Sequence, residues 1–186
     1  MSHEDSKPEL PASAALPVMV IETDRLRVRH LALEDAAFVL TLLNEPSWLR
    51  FIGDKGVRNL EDARNYLLSG PLAMYARHGH GLYLVERKSD AAAMGMCGLI
   101  KRDTLPDVDI GFAFLPVFWG QGYAYEAACA VLAHGRAAFG LARVVAITTP
   151  DNHASARLLE KLGLRFEEML TLPGSSEPLR LFATIH

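Results

Sequence analysis

Polar and apolar residues alternate along Arg25-Leu26-Arg27-Val28-Arg29-His30-Leu31, and a period of two predicts a strand with one wet face. The arginines at alternate positions are expected on that face. Ala36, Val39, Leu40 and Leu43 then recur at i, i+3, i+4 and i+7 behind Glu34 and Asp35, which predicts a helix with acidic residues in its first turn. Asn44-Glu45-Pro46 reads as its end. Asn59 suits the N-cap of a second helix with Leu60, Ala63 and Leu67 on one face, and Trp48, Leu49 and Phe51 fall in the link between the two. Strands are expected over about 81–86, 95–102 and 108–115, separated by the turn formers Ser89-Asp90 and Pro106-Asp107. After Pro116 the pattern changes. Ala128, Val131, Leu132, Gly135 and Phe139 predict a helix over 122–139 that Gly140 stops. A β-branched run at 144–149, a helix over about 153–162 ended by Gly163, and strands near 166–172 and 179–185 follow.

That order describes a mixed α/β (α+β) architecture with helices on both faces of one twisted sheet. With 186 residues the chain suits one domain. Residues 1–20, which carry Pro8, Pro11 and Pro17 and no period, read as a flexible leader, and 21–186 as the single domain. Half the residues are hydrophobic and 22% are charged, ordinary globular proportions that argue against disorder. Nineteen Lys+Arg against 22 Asp+Glu leave a formal net charge of -3, so no overall basic field exists to hold nucleic acid. Cys97 and Cys129 form no CxxC pair and read as small core residues in a chain expected in the reducing cytoplasm. No apolar run approaches the roughly 18 residues of a membrane span, and acidic residues stand where a signal peptide would be positive. His78 and His80 lack a third nearby ligand, so no metal is expected.

The segment Pro116-Val117-Phe118-Trp119-Gly120-Gln121-Gly122-Tyr123-Ala124 joins a strand to a long helix. Its two glycines let backbone N–H groups converge, and the helix start adds partial positive charge, a combination suited to a pyrophosphate. An ordinary tight connection is the alternative. Neither GxGxxG nor GxxxxGK[ST] occurs, so the NAD and ATP readings lose their usual motifs. A second segment follows, Thr149-Pro150-Asp151-Asn152-His153-Ala154-Ser155-Ala156-Arg157-Leu158-Leu159-Glu160-Lys161-Leu162-Gly163-Leu164-Arg165-Phe166. Together the two resemble the GNAT superfamily of acetyl-CoA-dependent N-acetyltransferases. Gly122 and Ala124 match the last two defined positions of that family's Q/R-x-x-G-x-G/A loop, with Trp119 in place of its Gln or Arg. The W-G-x-G-Y-A form is similar to the ribosomal-protein N-terminal acetyltransferase branch, whose N-x-x-S-x-x-x-x-E-K-x-G pattern the second segment matches. The resemblance spans roughly 21–185.

This resemblance implies a GNAT-type fold: a twisted mixed sheet of about seven strands with a V-shaped splay between the fourth (108–115) and the fifth (144–149). Acetyl-CoA would be the co-substrate. Its pantetheine would bond to main chain near Phe112, Phe114 and Leu115, and its pyrophosphate to N–H groups of Gln121, Gly122, Tyr123 and Ala124. Val117, Trp119, Gly120, Asn152 and Ser155 would complete that site. Asp109 matches a position where relatives carry a Glu that deprotonates the amine; its alternative is a charge on an exposed strand face beside Asp107. Ser155 would assist thiolate departure, although an N-cap at Asn152 and a first-turn Ser155 also account for both residues. Leu159 stands where many relatives place a tyrosine acid, which excludes that mechanism. Trp48 and Phe51 are expected to contact the acceptor, with core packing as the alternative. The implied activity is acetyl transfer to a primary amine, a protein N-terminal α-amine first, by direct attack in a ternary complex. A small-molecule amine (amino acid, polyamine or aminoglycoside) and a lapsed acyl-CoA-binding module are the rivals. The protein would act as a monomer or homodimer, with no nucleic acid or membrane as partner.

Overall fold

Strands β1 (Met19–Glu22), β2 (Leu26–His30), β3 (Leu82–Arg87), β4 (Ala93–Ile100), β5 (Asp109–Phe114), β6 (Val145–Thr148), β7 (Leu164–Thr171) and β8 (Pro178–Thr184) make one sheet. The computed structural model describes residues 17–185. Sheet order is β1-β2-β3-β4-β5-β6-β8-β7, and every neighbouring pair is antiparallel except β5 and β6. Parallel neighbours need a crossover, which α5 (Tyr123–Phe139) supplies.

Eight strands stand where about seven were expected. The addition, β1, contains Met19 and Val20, which the sequence assigned to the leader; positions 1–16 lie outside the described residues. Met19-Val20-Ile21-Glu22 has no polar–apolar alternation, so only its pairing with β2, interrupted by a bulge, identifies it as a strand. The expected arginine-lined wet face also fails at Arg29. Its guanidinium meets Asp35 at 2.9 Å and Glu86 at 2.8 Å with 14% of the side chain exposed, a half-buried network that fastens β2 to β3 and to the first turn before α1 (Ala36–Leu43).

The link expected between the first two helices is itself helical, α2 (Pro46–Phe51). Pro46 occupies the first turn, where its missing N–H costs nothing, so it starts this helix as well as ending α1. Asn59 caps α3 (Leu60–Leu67), its side-chain oxygen accepting from Asp62 N–H at 2.9 Å. A wide turn over Leu68–Leu72 carries the chain into α4 (Ala73–His78). These four helices cover one face of the sheet, burying Val39, Leu42, Leu43, Trp48, Ala63 and Leu67 against Leu84 and Met96. On the other face, α5 and α6 (His153–Lys161) bury Ala127, Val131 and Leu159 against Leu26, Val28, Tyr83, Cys97 and Ile110. Burial pushes the Cys97 thiol pKa up, as befits an inert core residue. No helix among the described residues is long and apolar enough to cross a membrane.

Candidate active site

β5 and β6 pair at one register position, Asp109 opposite Val145, where Val145 N–H donates to Val108 O at 3.0 Å. Beyond it no ladder joins them. Hydrogen-bonding directions alternate along a strand, so the outer pairings fix which groups face the gap. Leu115 N–H donates to Met94 O at 2.9 Å, which turns Gly111 and Ala113 toward β4 and leaves the backbone of Phe112 and Phe114 facing the gap. Across it, Thr184 N–H donates to Val144 O at 2.9 Å, so Ile147 presents its N–H and C=O from β6. An extended ligand could bond to both edges as a strand does.

Two of the main-chain positions expected to hold pantetheine are already engaged. Trp119 Nε1 donates to Phe114 O at 2.8 Å, and the Leu115 N–H belongs to the sheet. Phe112 keeps both groups, and Phe114 its N–H. Ile147 escaped sequence reasoning because a β-branched run does not reveal which neighbour each residue will face.

Past β5, a short turn at Pro116–Phe118 leads to Gly120 (φ 71°) and Gly122 (φ 80°), the N-cap of α5. Both lie in the left-handed region that glycine enters without steric penalty. The loop is tied from below by Arg25, expected only as a wet-face residue. Its Nη1 donates to Gln121 O at 2.9 Å, its Nε meets Glu126 Oε2 at 2.7 Å, and its guanidinium lies 4.5 Å from the Tyr123 ring centroid.

A cleft of about 1370 Å³ runs from this loop, past the gap, to the helices on the opposite sheet face. That exceeds the roughly 300–1,000 Å³ of a pocket for one drug-sized ligand and leaves room for two substrates. Of the expected residues, Asp109, Phe112, Phe114, Trp119, Gly120, Gly122, Tyr123, Ala124, Asn152, Ser155, Trp48 and Phe51 line it. Leu115, Val117 and Gln121 do not. Val117 projects into solvent at 72% exposure.

Asp109 is 1% exposed, which corrects the alternative of a solvated strand face. Strand alternation sends its side chain toward α1–α4, where Arg102 Nε donates to it at 2.9 Å. Burial raises its pKa above the usual carboxylate value, with Arg102 opposing. Ser155 N–H donates to Asn152 Oδ1 at 3.2 Å, so Asn152 does cap α6, while both residues also face the cleft. Leu159, at the position of the absent tyrosine, is 1% exposed. Trp48 Nε1 and Thr148 Oγ1, buried atoms of cleft-lining residues, have no hydrogen-bond partner among the described residues, a cost that a bound ligand could remove. The cleft also gathers residues that sequence reasoning passed over: Lys55, Tyr66, Arg102 and, from the β7–β8 hairpin, Leu172, Ser175 and Glu177. They are scattered along the chain and share no motif.

His78 and His80 stack with ring centroids 5.8 Å apart, and His80 Nδ1 lies 2.8 Å from Leu99 O. Among the described residues no group of three or more His, Cys, Asp or Glu side chains could hold a metal ion.

A family model described as an acetyltransferase (GNAT) domain matches residues 25–165. The uncharacterized N-acetyltransferase YoaA of Bacillus subtilis (strain 168) is 28% identical over 152 residues, covering 81% of this chain and 85% of that protein. A GNAT-family acetyltransferase structure from Bacillus anthracis aligns with a TM-score of 0.73 at 25% identity, covering 90% of this chain and 98% of its own. RimL, a ribosomal L7/L12 alpha-N-protein acetyltransferase solved with coenzyme A, shares the fold with a TM-score of 0.76 at 18% identity, over 90% of this chain and 97% of its own. The family match covers most of the chain and includes both edges of the gap, the glycine loop and the capped α6, so this protein belongs to the GNAT acetyltransferase family and is an N-acetyltransferase.

Proposed function

We propose that the protein transfers the acetyl group of acetyl-CoA to a primary amine, an α-amine at a protein N-terminus, by direct attack in a ternary complex. The open backbone edge between β5 and β6 carries this reading: Phe112 and Ile147 offer main-chain groups to pantetheine, and the loop N–H groups of Gly122, Tyr123 and Ala124 offer an anion site to the pyrophosphate. RimL, which shares the fold, is by name an alpha-N-protein acetyltransferase, and this supports the choice of acceptor. In the reaction the ammonium gives a proton to Asp109, directly or through water. The free amine then attacks the thioester carbonyl; the N–C bond forms, the C–S bond breaks, and the second proton shed by the nitrogen passes to the departing thiolate. Ser155, on the first turn of α6, offers its hydroxyl to that thiolate. A binding module without catalysis has no need of a buried carboxylate in the cleft, so the burial of Asp109 favours the enzyme.

Thermal unfolding in parallel with acetyl-CoA, CoA, NAD and ATP tests the ligand. At about 100 times its Kd, acetyl-CoA adds about 2.7 kcal/mol, a rise of about 5–10 °C in Tm for a chain of this size, with no response to NAD or ATP. No shift at millimolar acetyl-CoA would overturn the reading. Ser155→Ala is expected to lower kcat about tenfold, or about 1.4 kcal/mol of barrier, with the Tm unchanged. A smaller loss would remove Ser155 from the chemistry and leave it a helix-capping neighbour.

A further inference from the structure

The acceptor end of the cleft sets two cations, Arg102 and Lys55, against one buried carboxylate, Asp109, while Glu177, which also lines the cleft, is exposed on the β7–β8 hairpin. Arg102 donates only its Nε to Asp109, at 2.9 Å, and its Nη1 and Nη2 have no partner among the described residues. Lys55, on the loop between α2 and α3, lines the same cleft and forms no ion pair or hydrogen bond among the described residues. Burial, and then the Arg102 charge, hold the Lys55 amine below its ordinary pKa, so these two cations share one electrostatic environment. Arg50 is different, because Asp151 neutralises it at 3.1 Å. Tyr66 beside them is pushed up to about 12, chiefly by burial, and remains a neutral O–H.

An acceptor that brought only an ammonium would add a third positive charge to a cleft whose one buried carboxylate already accepts from Arg102, and like charges repel more strongly where water is partly excluded. The chain's net charge of -3 does not alter this local excess. We propose that the acceptor amine carries a carboxylate a few Å from its nitrogen, held by Lys55 and the free edge of Arg102 while the amine faces Asp109. Two cationic donors converging on one anion make charge-assisted hydrogen bonds, the strong class, and the bound anion relieves the repulsion between Lys55 and Arg102. This inference rests on the acetyl-transfer reading and names the kind of acceptor. The anion has two sources: an acidic side chain on the first residue of a peptide, or the α-carboxylate of a free amino acid.

CoA release with matched acceptors tests it. One pair is a peptide amide beginning with Asp and its twin beginning with Asn; the other is alanine and alaninamide. In one of the pairs kcat/KM is expected to be at least about tenfold higher for the anionic member. Preference for the Asp peptide identifies the side chain as the source, and preference for alanine identifies the free carboxylate. Lys55→Ala, on a loop whose backbone is open to solvent while its amine reaches into the cleft, brings that ratio down about tenfold through KM while kcat holds, and Lys55→Glu lowers it further. Equal kcat/KM within both pairs overturns the inference and leaves acetyl transfer standing, as does a preference that Lys55→Ala and Lys55→Glu leave unchanged. No CoA release from any acceptor overturns the acetyl-transfer reading and this inference with it.

Discussion

Asp109→Asn is expected to lower kcat/KM for the amine by about 10²- to 10⁴-fold, the contribution of a positioned general base, and to remove the Asp109 ionisation from the acid limb of the pH profile, leaving only the limb set by the amine. The substitution keeps the side-chain volume at a site that is 1% exposed and removes the capacity to take a proton together with the negative charge that faces Arg102. In the parent enzyme, burial outweighs Arg102 and raises the carboxyl pKa above 3.8. The base form therefore exists above that raised pKa and disappears as pH falls through it, so activity fails on the acid side at a higher pH than for a solvated aspartate. In the Asn variant that ionisation is gone, and the residual rate follows the amine's own deprotonation. The sign for stability is the reverse. A carboxyl whose folded pKa is raised favours the native state when protonated, fully so below its unfolded pKa, and this contribution is lost as pH rises through the folded pKa. Asparagine carries no such dependence, so the neutral-pH Tm is expected to stay within a few degrees of the parent's. A loss below tenfold with an intact Tm would mean that Asp109 and Arg102 form a structural pair and that another group accepts the proton.

Local signals carried the sequence reading where a residue's role depends on its neighbours in the chain, and they gave out where it depends on a distant partner. The spacing of Ala36, Val39 and Leu43 and the cap at Asn59 are local, and α1 and α3 form where they indicate. Gly120 and Gly122 announce their loop because positive φ is a property of the residue itself. Pro46 shows the limit of this approach: a proline ends one helix and begins another with equal ease, and only the packing of Trp48 under α1 and α3 decides for α2. The arginines before and within β2 look alike in sequence, yet Arg29 sits in an ion-pair network and Arg25 beneath the loop, because Glu86 meets the first and Glu126 the second, 57 and 101 residues along the chain. The acceptor side was the least readable part. Lys55, Tyr66 and Arg102 come from the α2–α3 loop, from α3 and from the loop after β4, and no spacing links them. The cofactor side has a motif because one continuous turn must wrap one invariant ligand, whereas an acceptor pocket is assembled from whatever side chains the helices bring to it.

Gly122→Val is expected to weaken acetyl-CoA binding by about 10- to 100-fold, the equivalent of the roughly 1–3 kcal/mol that a non-glycine residue in such a conformation costs. The residue holds φ 80° at the N-cap of α5, a region that β-branched side chains rarely enter. A Cβ there would also stand 3.3 Å from Arg25 Nη2. Arg25 has little freedom to retreat, since Gln121 O holds it at 2.9 Å and Glu126 at 2.7 Å. Either the turn flips or the arginine leaves, and each movement takes the N–H groups of Tyr123 and Ala124 out of alignment. Gly120→Val separates the two causes. It shares the positive φ, 71°, but its Cβ meets nothing within 4 Å, so it pays for conformation alone, and the excess loss at Gly122 measures the Arg25 contact. The discriminating substrate is S-acetylpantetheine, which keeps the thioester and lacks the pyrophosphate. Its kcat/KM is expected to change little in Gly122→Val, because the β5–β6 edge that would hold it is untouched. If both thioesters lose activity equally, the loop does not hold the pyrophosphate, and the anion site must be sought elsewhere along the cleft.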